Sequence, residues 1–196
     1  MKVIGIIGGI ASGKSRVSAE LVRRGARLID ADRIGHDLLK TGPVKEAIRA
    51  RWGTAVFQGG EVDRSLLGQA VFGSPGSEGL DALNAILHPA ITAQIERELA
   101  ACRIRGESLV LLDVPLLCEV GLDRFCDKII FVDADLTHRQ RRAAARGWSG
   151  DELQRREAQQ LPLDEKRARA DLIIDNNGPE EMIAPQIDRC FGRHNS

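Results

Sequence analysis

At 196 residues, 43% of them hydrophobic and 29% charged, the chain has the size of one globular domain with small insertions, and enough apolar side chains for a true core. Its 28 basic and 28 acidic residues cancel, and aromatics make up only 4% with no Tyr, which argues against a nucleic-acid partner or an anionic membrane surface. Cys102, Cys118, Cys126 and Cys190 form no C-x-x-C pair, the N-terminus has no secretory pattern, and no apolar run is long enough to span a bilayer, so the expectation is a soluble cytoplasmic protein with reduced thiols.

In chain order, Lys2 to Ile7 is a β-branched apolar run ending at two glycines, the pattern of a strand buried on both faces. A helix is predicted from Lys14 to about Arg24. Four more strands are predicted: "ARLID" ending at Asp30, "SLVLLDV" around Asp113, "KIIFVD" ending at Asp133 and "DLIIDN" near Asp175. Asp63 before "RSLLGQAVF" and Pro89 at the first turn of "PAITAQIERELAACR" are helix-start signals. Strands alternating with helices predict a three-layer α/β fold with a parallel sheet of five strands. Two segments hold more than one helix between strands. The core is therefore expected over residues 1–31, 106–135 and 171–196, with helical insertions at 32–105 and 136–170. Trp52, Phe57 and Phe72 read as core of the first insertion, and Trp148 as packing in the second.

Gly8-Gly9-Ile10-Ala11-Ser12-Gly13-Lys14-Ser15 matches G-x-x-x-x-G-K-[ST], with a strand before it and a helix after it. Glycines allow successive backbone N–H groups to turn inward around an anion, and the helix N-terminus adds partial positive charge. Lys14 is placed for the β- and γ-phosphates of a nucleoside triphosphate, and the Ser15 hydroxyl for Mg²⁺. A guanine-nucleotide switch is disfavoured: Asp113 is followed by Val114, Pro115 and Leu116 rather than by D-x-x-G, and no N-K-x-D occurs. An acceptor kinase needs a carboxylate near the loop and a cationic cover that excludes water.

Asp30 and Asp32 stand at the carboxyl end of the second strand, where ligands collect in open α/β sheets. Asp30 reads as the residue that ends the strand, with capping favoured over a chemical role. For Asp32 two roles stay open: capping the next helix, or facing the phosphate loop. Asp113 has the position of a strand-end acid that supports Mg²⁺, the other reading being a turn residue. From Arg139 to Arg169 nine Arg or Lys stand against five Asp or Glu. Most of these cations belong to a solvated face, but arginine's planar donors suit phosphate, and a helical insertion before the last strand is where a lid could project.

The chain resembles the dephospho-coenzyme A kinase family from Val3 to about Gly178. The resemblance rests on "GGIASGKS", "DAD" at Asp30 to Asp32, Asp63-Arg64, Val71-Phe72, "ILHPAI", "DVPLLCE" from Asp113 to Glu119, and "QLPLDEKRARADLIIDNNG" from Gln160 to Gly178. It implies a P-loop NTPase fold similar to nucleoside monophosphate kinases, with a helical substrate-binding insertion and a helical lid. It also implies ATP-dependent phosphorylation of the ribose 3′-hydroxyl of dephospho-coenzyme A. By the same resemblance Asp32 is the general base or hydroxyl-orienting group. Gly8, Ala11, Ser12, Gly13, Lys14, Ser15 and Arg16 hold ATP, with Arg142 and Arg146 at the basic positions of the lid. Arg64, His88 and Leu116 fall in the acceptor region. Arg16 departs from the family's frequent Thr, and Cys118 from a common aromatic. The rival readings are a kinase of another small hydroxyl or nucleotide acceptor, and a non-catalytic nucleotide-binding switch. Oligomeric state has no signal in the sequence.

Overall fold

An apolar run with no polar alternation folds most favourably as a strand covered on both faces. In the computed structural model, which describes residues 1–73 and 77–191, strand β1 (Lys2–Gly8) is buried at every residue after Lys2. The chain divides into two compact units, one formed by residues 1–30 and 100–196, the other by residues 31–99.

The first unit continues from β1 through α1 (Lys14–Arg23) to β2 (Arg27–Asp30). Residues 31–99 supply α2 (Ala31–Leu38), α3 (Gly42–Trp52), β3 (Phe57–Gln58), β4 (Glu61–Val62), α4 (Arg64–Phe72) and most of α5 (Glu78–Ile104). The first unit resumes with β5 (Leu109–Asp113), β6 (Lys128–Asp133), α6 (Leu136–Ala144), α7 (Gly150–Glu157), α8 (Leu163–Ala168), β7 (Leu172–Asp175) and α9 (Ile183–Phe191).

The five long-range strands pair in parallel in the order β2-β5-β1-β6-β7, as the alternation of strands and helices predicts. Ile4 and Ile6 of β1 join Leu111, Ile130, Val132 and Ile174 in one apolar layer against Val17 and Leu21 of α1 and Ile183 and Ile187 of α9. The alternating residues Val3, Val110, Leu112 and Phe131 are buried as well, and α8 packs on β1. Asp30 is in register with Asp113, and Asp133 with Asp175. Within each of these two pairs the strands therefore end level, each on a carboxylate, at the edge of the sheet where α/β proteins collect ligands.

The second unit has its own core of Val44, Ile48, Val56, Leu67 and Val71, with Trp52 and Phe57 packed against it as expected. Phe72 does not join them and is 69% exposed. It is the last residue of α4, and Val71 occupies the inward position beside it. Asp63 is the N-cap of α4, its Oδ1 accepting from the N–H groups of Ser65 at 2.8 Å and Leu66 at 2.9 Å. Pro89 does not open a helix. It lies inside α5. A proline there forfeits one backbone bond and crowds the preceding turn, but Leu83, Ile86, Leu87 and Ala90 on both sides of it pack on the same core and hold the helix through that position.

Candidate active site

The phosphate loop leaves β1 at Gly8, where φ is +152°, and enters α1 at Gly13, where φ is +94°. Both values lie where side chains are disfavoured. A Cβ on Gly8 would stand 2.6 Å from the Val132 carbonyl, and one on Gly13 would stand 2.1 Å from Nδ2 of Asn176. Between them Ala11 has φ +58°, the one non-glycine in the left-handed region among the described residues. Its methyl group is buried with Ala143, Leu153, Ile10 and Trp148, so the loop is fastened to α6, α7 and the turn between them. The Ser12 N–H donates to Gly9 O at 3.1 Å and the Arg16 N–H to Gly13 O at 3.0 Å. Gly13 caps α1 without a side-chain bond. The first N–H groups of the helix therefore keep the orphan donors that make a helix start an anion site.

Lys14 folds back over the loop, its Nζ 3.4 Å from both Gly8 O and Gly9 O. Ser15 is exposed at the start of α1. Three residues on, hence on the same face of the helix, Ser18 Oγ donates to Oδ2 of Asp113 at 3.2 Å. Asp113 is thereby tied to the helix that carries Ser15. The strand-end acid, the loop lysine and the loop serine are all gathered at one end of β1 and β5.

Arg142 of α6 reaches the loop from its outer side. Nη1 donates to Ser12 O at 2.9 Å and lies 3.4 Å from Ala11 O, and Nη2 donates to Asn176 O at 2.8 Å. Burial, aided by the charges of Arg16 and Arg146, pulls its pKa below the ordinary arginine value. Arg142 thus meets repulsion from Arg16 and Arg146, which an anion beside it would relieve. Arg16 is exposed and pairs with Glu180 at 3.7 Å, and Arg146 is exposed with its guanidinium 6.0 Å from the Trp148 ring centroid. Trp148 also lies under Arg156, 4.4 Å away, and packs the turn as expected.

Three further groups were not singled out individually from the sequence. Arg139 is buried, donates from Nε to Ala134 O at 3.1 Å and pairs with Glu157; burial pulls its pKa down. Lys166 is buried against Glu119 at 2.9 Å and donates to Gln160 Oε1 at 2.8 Å. Burial disfavours the Glu119 carboxylate, yet the bonds from Lys166 and from the Leu161 N–H outweigh it and hold its pKa below the usual range. Asn176 follows β7 and is buried at the loop, its Nδ2 donating to Ser12 O at 2.6 Å. Glu119, Lys166 and Asn176 all fall inside motifs that carry the family resemblance, which was the available signal; Arg139 had none beyond its place in a basic segment.

Leu116 is half-buried in the turn after β5, where its carbonyl accepts from Val120 N at 3.0 Å. In the second unit Asp32 is exposed in the first turn of α2. That helix starts at Ala31, so Asp32 is not its cap, although a carboxylate there still complements the helix dipole. Arg64 is the exposed first residue of α4, and His88 is half-buried within α5. Among the described residues no cluster of three or more His, Cys, Asp or Glu could hold a metal ion, and no helix is long and apolar enough to cross a membrane.

The model of the dephospho-CoA kinase family matches residues 2–181. A dephospho-CoA kinase of Symbiobacterium thermophilum is 46% identical over 195 residues, covering 97% of this chain and 80% of that protein. Among solved structures, TT1252 from Thermus thermophilus superposes with a TM-score of 0.80 at 34% identity, covering 100% of this chain and 98% of that one. The dephospho-CoA kinase from Campylobacter jejuni, at 22% identity and a TM-score of 0.66, covers 96% of this chain and 95% of its own and shares the fold.

Proposed function

The chain belongs to the dephospho-CoA kinase family, and on that premise we propose that it transfers the γ-phosphoryl group of ATP to the ribose 3′-hydroxyl of dephospho-coenzyme A. The observation that carries this reading is the phosphate loop, with Lys14 folded over its carbonyls and Asp113 latched to Ser18 one turn beyond Ser15.

Phosphoryl transfer leaves little covalent work to the protein, so the residues act by position and charge. Gly8 and residues Ala11 to Arg16 line the polyphosphate, Lys14 neutralises its β and γ oxygens, and Arg142 and Arg146 add positive field from the lid side. Ser15 and Asp113, both oxygen donors at the loop, would hold a Mg²⁺ there. When bound, that ion would supply positive charge that offsets the negative charge developing during transfer. Asp32 orients the acceptor hydroxyl and accepts its proton, while Arg64, His88 and Leu116 serve the acceptor. The working domains are a core of residues 1–31, 106–135 and 171–196, an acceptor insertion of residues 32–105 and a lid of residues 136–170. Four free thiols suit the reducing cytoplasm.

The test is direct. Incubation with ATP, Mg²⁺ and dephospho-coenzyme A should yield coenzyme A and ADP by mass detection, with no turnover when the acceptor is left out. Nucleotide binding without acceptor-dependent product would overturn the proposal.

A further inference from the structure

The geometry points to Asn176, with Arg142 as its partner, as the positioning residue that turns the Gly13 N–H toward the phosphate. The proposal deepens the reading above and rests on it, because it assumes that the loop takes a polyphosphate.

One carbonyl accepts two donors here: Ser12 O receives Asn176 Nδ2 at 2.6 Å and Arg142 Nη1 at 2.9 Å. The peptide that follows Ser12 is trans, since the described residues contain no cis bonds, so its C=O and N–H lie in one rigid plane and point in opposite directions. Fixing the Ser12 oxygen on one side therefore fixes the Gly13 N–H on the other. That N–H stands at the N-cap of α1, where no carbonyl of the helix can accept it. A phosphate nest needs such a group aimed inward before ligand arrives, because a flipped peptide would present its carbonyl to the anion instead.

The brace has a rigid base. Asn176 is 1% exposed. Its own N–H donates to Asp133 O at 2.8 Å, which extends the pairing of β6 with β7 by one step, and its carbonyl accepts Arg142 Nη2 at 2.8 Å. The side chain thus hangs from the end of the sheet, not from a loose loop. Chemistry settles its orientation: only the amide NH₂ can face a carbonyl oxygen without repulsion. Its Oδ1 is buried and has no hydrogen-bond partner among the described residues. The same NH₂ fills the space in which a Gly13 side chain would stand. Glycine is required there by its φ and by this amide together.

Two variants test the proposal with inorganic tripolyphosphate as probe, which removes any part played by adenine. In the wild-type protein the Gly13 amide proton should move downfield as tripolyphosphate saturates the loop. Asn176→Leu keeps the volume and removes the donor. It should bind tripolyphosphate up to roughly tenfold more weakly, the scale of one lost hydrogen bond, and at saturation its Gly13 proton should move less. Arg142→Met removes the second donor and should likewise reduce the Gly13 movement at saturation, which keeps the test open if Asn176→Leu fails to fold. Reduced movement in either folded variant, measured at saturation, supports the brace, because mere loss of stability or charge would weaken binding without re-aiming one amide. Full wild-type movement in the folded variants overturns it. A wild-type protein that binds neither tripolyphosphate nor ADP would instead defeat the nucleotide reading itself.

Discussion

The phosphate loop and the helical unit of residues 31–99 are both expected to serve the reaction, but they are built in opposite ways. In the loop, fold and function use the same atoms. Ser12 and Asn176 are each 1% exposed, Ala11 is packed into a small core, and Gly13 has no room for a side chain. In the helical unit the candidate residues Asp32 and Arg64 are exposed, while Ile34 and Leu67 on the same helices are buried. Substitution in the loop should therefore disturb stability and binding together. In the helical unit chemistry and stability should separate.

The sharpest test of that separation is Asp32→Asn. Asparagine keeps the shape and cannot take the proton, so turnover should fall on the order of 10²–10⁴-fold, the usual contribution of a general base, while melting temperature and ATP affinity stay at wild-type values. Near-normal turnover in a stable variant would remove Asp32 from the chemistry and make Asp113 the next residue to test. Lys14→Ala probes the other side of the comparison. Its turnover should drop by more than about tenfold, since more than ~1.4 kcal/mol of stabilisation at the β and γ oxygens is lost. A measured drop within about threefold would break the phosphate-loop assignment. Because the lysine also spans the Gly8 and Gly9 carbonyls, thermal unfolding should shift as well, in contrast with Asp32→Asn.

The sheet strands were legible in the sequence because each is a short apolar run, ending at two glycines in β1 and on an acid in the other four, and the loop because its glycines and lysine have a fixed spacing. Asp63 was legible as a cap because capping is local. Pro89 and Phe72 were misread for one reason: what settles them is packing on a core assembled from distant residues, which overrides local preference. Asn176 was hidden more deeply. Its importance lies in one amide meeting the carbonyl of Ser12, 164 positions away, and no periodicity or spacing encodes such a meeting. The Lys166–Glu119 pair is of the same kind. It joins the turn after β5 to α8 and has no pattern of its own.

That pair yields the third prediction, on the loop side of the comparison, where burial makes electrostatics count. Glu119 has a lowered pKa in the folded chain. Between that value and the ordinary glutamate value of roughly 4.3, the unfolded chain binds more protons than the folded one. The stability this carboxylate contributes is thus full above the ordinary value and is lost as pH falls through the folded one. Glu119→Gln should be less stable than wild type near neutral pH, and the gap should narrow as the solution is acidified below about pH 4.3. Urea midpoints taken across that range decide it, since other carboxylates titrate equally in both proteins. Parallel curves would mean that the Lys166 contact does not set the charge state of Glu119.

The smallest expected effect tests whether the helical unit separates fold from function at neighbouring residues. Asp63 accepts two backbone N–H groups at the start of α4, and Arg64, proposed to serve the acceptor, follows it directly. Asp63→Ala leaves both donors without their cap and should cost about 0.5–2 kcal/mol. For a chain of this size that lowers the melting temperature by a few degrees, about 2–4 °C per kcal/mol. Asp63→Asn restores an oxygen that caps about as well, so its melting temperature should return close to wild type. Turnover measured well below the melting transition should stay near wild type in both variants. A loss of turnover in Asp63→Asn at unchanged melting temperature would show that the Asp63 charge acts on the acceptor or on Arg64, and that at α4, as at the phosphate loop, one residue serves fold and chemistry together.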